Sequence, residues 1–263
     1  MAKKPKIFFL VAGPCVLETE SGALEIARRL REITDDLGIP FIFKASFDKA
    51  NRSSAKSYRG PGLREGLAAL ARIKKKVGCK ILTDIHEVSH VAPAAKVADV
   101  LQIPAFLCRQ TDLILAAGRS RRTVHVKKGQ FLSPADVDNI AEKLRTVGCR
   151  DYYFTERGTT FGYNNLVVDM RSLAIMRDAG HKIVFDATHS VQRPGALGSK
   201  TGGDGWLAPV LARAAVAVGV DGLFIETHPR PEKALSDGPN MIPLSQMRAL
   251  LAKLQSIHEA AHQ

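Results

Sequence analysis

The chain repeats one local pattern, and that pattern limits the folds open to it. A glycine ends an amphipathic stretch, a short apolar run follows, and the run closes on a polar or charged residue. The copies read LGIPFIFK (37–44), VGCKILTD (77–84), VGCRDYYFTER (147–157), AGHKIVFD (179–186) and VGVDGLFIE (218–226). A weaker copy is AGRSRRTVHVKK (117–128), and VLQIP (100–104) lacks the glycine. Stretches such as LREGLAALARIKKKV (63–77) and LVVDMRSLAIMRDA (166–179) precede the glycines and carry the helical period. Glycine after a helix is the expected left-handed terminator. The runs that follow are rich in Val, Ile and Phe and apolar on both faces, as buried parallel strands are.

The unit is therefore helix, glycine, strand, polar loop. Strands are expected in KIFFLVAG, PFIFKAS, CKILTDI, VLQIPA, TVHVKK, DYYFTER, KIVFDAT and GLFIETH, with a last helix over 243–261. Eight such units in 263 residues predict an α/β chain folded as a single (β/α)8 TIM barrel over 1–263. An open doubly wound sheet is the alternative. It more often has five or six strands and a glycine-rich first loop, which this chain lacks. No apolar run approaches the ~20 residues of a membrane span, and no signal peptide is read at the N-terminus. Four scattered cysteines without a C-x-x-C pair suggest a reducing, cytoplasmic setting.

In a barrel, chemistry gathers at the C-terminal ends of the strands. Those ends carry Cys15 after strand one, and Lys44, Asp48, Lys49, Asn51, Arg52, Ser53 and Ser54 after strand two. Asp84 and His86 follow strand three, Gln102 and Arg109 strand four, Lys127 and Lys128 strand five. Glu156 and Arg157 follow strand six, Asp186 and His189 strand seven, and Glu226, His228 and Asp237 strand eight. Buried lysines are costly unless an anion meets them, so the cations predict a substrate with several negative charges. A phosphate and a carboxylate together would suit arginine forks. Cys15, His189, Glu226 and Asp237 come from neighbouring strand ends and could bind Zn²⁺ or Fe²⁺.

Plainer readings stand beside these. A lone cysteine after a strand is usually a small core hydrophobe. His86 and His228 can merely satisfy loop hydrogen bonds, His125 reads as structural, and RIKKKV (72–77) reads as a solvated helix face. The net charge of +12 favours anionic partners without naming them. Aromatic residues are only 6% and do not interleave with a basic stripe, which argues against nucleic acid.

Several long segments point further. KASFDKANRSS (44–54), SYRGPGL (57–63), TDIHE (83–87), QIPAFLCRQTDL (102–113), VKKGQF (126–131), ERGTTFGYNNLVVDM (156–170), FDATHSVQ (185–192), FIETHP (224–229) and SDGPN (236–240) resemble the 3-deoxy-manno-octulosonate 8-phosphate synthase family. The resemblance implies condensation of phosphoenolpyruvate with arabinose 5-phosphate, a step toward lipopolysaccharide. The related heptulosonate phosphate synthases, which use erythrose 4-phosphate, are the alternative; they resemble K-P-R-T-S where this chain has KANRSS.

By that resemblance, Lys44, Lys49, Lys127, Arg157 and His189 hold phosphoenolpyruvate, and Asn51, Arg52 and Ser53 hold the aldose phosphate. Asp84 and Gln102 complete the substrate site, and Arg109 reaches a neighbouring subunit's site. Cys15 implies the branch that uses a divalent ion (Zn²⁺, Fe²⁺ or Mn²⁺), held with His189, Glu226 and Asp237. A homo-oligomer, a tetramer in this family, is expected, with neither nucleic acid nor membrane as partner. A non-catalytic sugar-phosphate sensor is the remaining rival. DGW, within 192–210, departs from the family pattern.

Overall fold

The computed structural model describes residues 8–52, 54–197 and 200–261. Eight parallel strands run β1 (Phe9–Gly13), β2 (Phe41–Lys44), β3 (Lys80–Asp84), β4 (Val100–Ile103), β5 (Thr123–Lys127), β6 (Tyr152–Glu156), β7 (Ile183–Asp186) and β8 (Gly222–His228). Each pairs with its sequence neighbour, and β1 closes on β8 with Phe9 opposite Gly222 and Gly13 opposite Glu226. Outside lie α1 (Glu20–Leu37), α2 (Leu63–Val77), α3 (Val88–Ala95), α4 (Thr111–Arg119), α5 (Val137–Thr146), α6 (Arg171–Asp178), α7 (Ala208–Val218) and α8 (Met247–Ala261). Among the described residues, no helix is long and apolar enough to cross a membrane.

The glycine repeat works as the sequence suggests at α1, where Gly38 adopts φ 66° and its N–H reaches back to Asp35 and Thr34. Gly118 differs. It lies inside α4, where a Cβ would come 2.6 Å from Val147 Cγ2. It is a packing glycine, and the left-handed turn falls to Arg121 at φ 60°. The expected helix over 166–179 is also shorter. Leu166–Val167 pairs antiparallel with Thr159–Thr160, and the helix starts only at Arg171.

Two cores result. The larger lies between barrel and helices and includes Leu10, Phe43, Ile81, Phe154, Phe185 and Ile225. The smaller fills the barrel with Val11, Leu82, Val100, Tyr153, Val184 and Phe224. Strand side chains alternate sides, so residues two positions further along share the inner face. From that inner core, two residues on, the chain presents Asp84, Gln102, Asp186 and Glu226. The interior is thus apolar at its base and charged at its C-terminal end, which becomes the floor of a cavity.

Candidate active site

The cavity measures about 1500 Å³ and is bounded by the loops after most of the strands. Its walls include Lys49, Asn51, Arg52, Asp84, Gln102, Lys127, Arg157, His189 and Asp237. Most of the sequence candidates therefore meet there. Lys44, Cys15 and Glu226 lie one step deeper and are buried. Ser53 lies outside the described residues. Arg109 is exposed on the outer side and lines a separate depression of about 400 Å³ with Phe131 and Lys143.

The adjacent charges at the ends of strands five and six do not share a destination. Lys127 and Arg157 reach the cavity. Lys128 and Glu156 turn outward instead: Lys128 Nζ donates to Leu132 O (3.0 Å) and lies 3.4 Å from Glu156 Oε2. Glu156 also accepts from Arg157 N (2.9 Å), Gly158 N (2.7 Å) and Ser172 Oγ (2.8 Å). The alternation along a strand allows only one of two neighbours to face the axis. His125 faces inward below the cavity. It stacks on Tyr153 at 4.7 Å and is hydrogen-bonded to Thr155, the structural role its sequence position suggests. His228 is occupied with its own loop, at 2.8 Å from Arg230 O.

The lysines of the floor meet anions within the protein itself. Lys44 Nζ donates to Glu226 Oε1 at 2.6 Å and to Cys15 O at 2.8 Å. Lys127 Nζ binds Asp186 at 2.5 Å and sits 3.7 Å from the centre of the Phe224 ring. The anions meeting these lysines are the protein's own carboxylates. Four cations, Lys44, Lys49, Lys127 and Arg157, share this region with four carboxylates, Asp84, Asp186, Glu226 and Asp237, and among the described residues Lys44 and Lys127 form salt bridges with them. What remains free is specific. Arg157 donates through Nη2 to Gln192 Oε1 (2.5 Å), while its buried Nη1 has no partner among the described residues. Asp84 holds His86 Nε2 at 3.0 Å, leaving its buried Oδ1 without one. Lys49 Nζ forms no salt bridge among the described residues. Such unused donors and acceptors in a cavity wall are what a polar ligand would satisfy.

Electrostatics keep the floor ionised. Burial would raise Glu226, but Lys44, His189, Lys49 and Lys127 outweigh it and hold its carboxyl well below the usual range. Asp186 is likewise held low against burial by His189 and Lys127. Burial lowers Lys127 and Arg157 despite their carboxylate neighbours. For Lys49, burial is overcome by Cys15, Glu226, Asp84 and Asp237, which raise it.

Ligand atoms of Cys15, Glu226 and Asp237 all lie within 4.8 Å of one another. Cys15 Sγ is 3.1 Å from Asp237 Oδ2 and 2.9 Å from Ser236 Oγ. His189 stands beside this trio, its Nε2 3.6 Å from Glu226 Oε2 and 3.9 Å from Asp237 Oδ2. Its Nδ1 is 2.8 Å from Asp186 Oδ2, the arrangement that leaves Nε2 for a ligand. Burial pushes the Cys15 thiol up, and Asp237 and Glu226 add to the shift. A thiolate there needs a compensating cation, so this donor set fits a divalent transition ion.

The chain matches the DAHP synthetase I family over residues 3–263. It belongs to that family. Curated relatives carry the name 2-dehydro-3-deoxyphosphooctonate aldolase. That of Cupriavidus necator is 58% identical over 258 residues, covering 96% of this chain and 89% of the relative. Those of Variovorax paradoxus (57% over 258 residues; 96% and 90%) and Methylococcus capsulatus (58% over 249 residues; 95% and 88%) are similar to the same extent. This family member also places residues at its site that the strand-end inventory passed over. Ser236 touches Cys15, Gln192 orients Arg157, and Gln130, Tyr58 and Trp206 line the cavity. Ser236 and Gln192 stand within SDGPN and FDATHSVQ, but neither polar side chain announces a role in the sequence. The Trp of DGW is 75% exposed at the cavity wall.

Proposed function

We propose that the protein condenses phosphoenolpyruvate with D-arabinose 5-phosphate and water, giving 3-deoxy-D-manno-octulosonate 8-phosphate and inorganic phosphate. The carrying observation is one cavity in which Lys49, Arg52, Lys127 and Arg157 converge above a thiol and carboxylate cluster with the His189 imidazole beside it. The relatives named for the eight-carbon product favour this reading over a heptulosonate synthase.

The enol carbon C3 of phosphoenolpyruvate attacks the aldehyde carbon, forming the new C–C bond, and the aldehyde oxygen takes up a proton. Water adds to C2 and gives a hemiketal phosphate. The C2–O bond to phosphate then breaks, the C2 hydroxyl loses its proton, and the ketone forms. Lys127, Arg157, Lys49 and His189 bind and orient phosphoenolpyruvate at the floor. The partly closed Arg157 fork, with Nη1 open, suits an oxyanion. Asn51 and Arg52 receive the aldose phosphate nearer the mouth. Arg52 is braced there by Tyr58 O (3.0 Å) and Leu235 O (3.2 Å). Holding two mutually repelling anions in register is the main catalytic task.

Cys15, His189, Glu226 and Asp237 would hold a divalent ion (Zn²⁺, Fe²⁺ or Mn²⁺), which supplies Lewis-acid polarisation of an oxygen ligand when bound. The exposed Arg109 is consistent with service in a neighbouring subunit's cavity within a homotetramer. A cytoplasmic lipopolysaccharide-precursor step follows from this reading. The test compares phosphate release from phosphoenolpyruvate with arabinose 5-phosphate and with erythrose 4-phosphate. A strong preference for the five-carbon sugar is expected; equal or greater use of erythrose 4-phosphate would overturn the proposal.

A further inference from the structure

The net charge of +12 is not spent in the cavity, whose floor balances its cations with carboxylates. Among the described residues, seven unpaired cations gather at the opposite end of the barrel, where helices end and strands begin. There α2 finishes with Lys75 and Lys76, β3 opens with Lys80, and Lys96 follows α3. Arg119 ends α4, and Arg121 occupies the left-handed turn before β5. Arg150 precedes β6. All are exposed, and among the described residues none forms a salt bridge.

The carboxylates on this arc are already engaged. Asp99 accepts from Lys74 Nζ (2.7 Å) and Ile81 N (2.8 Å). Asp151 is bound by Thr123 and lies 3.5 Å from Lys182 Nζ. The other arc of the same end is internally paired, through Arg31–Asp35 (2.7 Å) and Arg177–Asp178 (3.8 Å), with Asp36 held by Arg248. Because β3 to β6 are consecutive neighbours, the free cations form one crescent. At helix spacings of ~10 Å it spans on the order of 30 Å.

Some cationic bias at helix C-termini is ordinary compensation of the helix dipole. That accounts for one cation per helix, not for doubled charges, for Lys80 at a strand start, or for an arginine in a turn where glycine is the easy choice. The crescent carries no exposed large apolar side chain. It therefore lacks the buried anchor of a tight protein interface and the stacking platform of a single-strand nucleic-acid site. A diffuse cationic face without anchors matches a diffuse anionic one.

We infer that this end of the barrel adsorbs reversibly to an anionic lipid surface, leaving the cavity at the far end open to solvent. This revises the sequence expectation of no membrane partner, which rested on the lack of a spanning segment and does not bear on peripheral adsorption. Juxtamembrane Lys and Arg each add about fivefold to partitioning onto an anionic leaflet, and salt screens them.

The test is co-sedimentation of the full protein with vesicles of phosphatidylcholine alone or with 30% (about) phosphatidylglycerol. Binding should require the anionic lipid and fall at least tenfold between low and about 0.5 M salt. The pair Arg119→Glu/Arg121→Glu should cut binding at least tenfold. Arg28→Glu/Lys253→Glu, with the same net charge but on exposed faces of α1 and α8, should change it less than threefold. Phosphate release by both variants should match wild type, showing that each is folded. Equal losses in the two variants would reduce the effect to net charge and overturn the inference. So would binding indifferent to lipid charge, or tighter retention by an RNA oligomer than by the vesicles.

Discussion

Two buried lysine–carboxylate networks stand side by side in this barrel, built from residues adjacent in sequence. Lys127 faces inward to Asp186 and His189, while Lys128 faces outward to Glu156, and both lysines and both carboxylates are almost fully buried. The outer network is closed: each Glu156 oxygen is taken by backbone N–H groups, Ser172 or Lys128. The inner one ends in open valences, with Arg157 Nη1 and Asp84 Oδ1 unpartnered among the described residues and a thiol beside two carboxylates. Burial and charge alone do not separate a structural network from a working one. What separates them is unpartnered atoms on residues that line the cavity, because an unsatisfied group there costs free energy in the unliganded fold that a ligand can restore.

The largest expected effect is confined to the inner network. A strong chelator should abolish activity, and an added divalent ion should restore it. Cys15→Asn should lower the response to chelator along with metal content measured by elemental analysis. A metal-free wild-type enzyme running at full rate would make Cys15 a packed thiol and move the inner cluster into the structural class.

Next comes the outer network. Lys128→Met leaves Glu156 without its cation, and loss of one partner from a buried pair costs about 3–5 kcal/mol. Urea unfolding should show that loss, while kcat/KM for the folded fraction stays within about twofold of wild type. A large fall in kcat/KM with stability intact would mean that the two networks are coupled.

Arg157→Ala is the converse variant. Removing a charge-assisted contact worth about 1.5–3 kcal/mol should lower kcat/KM for phosphoenolpyruvate by about 10- to 100-fold. Its unfolding midpoint should move less than that of Lys128→Met, since Arg157 forms no salt bridge among the described residues and its side chain donates only to Gln192. Unchanged phosphoenolpyruvate kinetics would remove Arg157 from the site.

The smallest effect is a pH slope. Burial, assisted by Lys127, holds His125 well below its usual range, so the folded protein keeps it neutral. Below about pH 6.5 the unfolded chain binds the proton more readily. The stability His125 contributes is thus fully present above about pH 6.5 and declines as pH falls toward the folded value. The decline reaches at most about 1.4 kcal/mol per pH unit. His125→Gln should flatten the wild-type slope between about pH 5 and 6.5; an identical slope in both proteins would show that another group titrates.

The sequence by itself determined the eight units, the strand ends that carry chemistry and the family, because these depend on local periodicity, glycine terminators and long motifs. Even the opposite facing of Lys127 and Lys128 follows from strand alternation once the inward facing of His125 on the same strand is known. Tertiary structure alone decided the partners. Lys44 meets Glu226 across 182 positions only because β1 closes on β8. Lys127 meets Asp186 from two strands away, and Ser236 comes to Cys15 through the loop after β8. Gly118 shows the same limit, since its role depends on α5 packing beside it and not on its place in a repeat. The balance of charge at the cavity floor and its surplus at the far end were also invisible in a net +12. A sum over residues carries no positions, and in a closed barrel position decides whether a charge is paired, buried or left facing solvent.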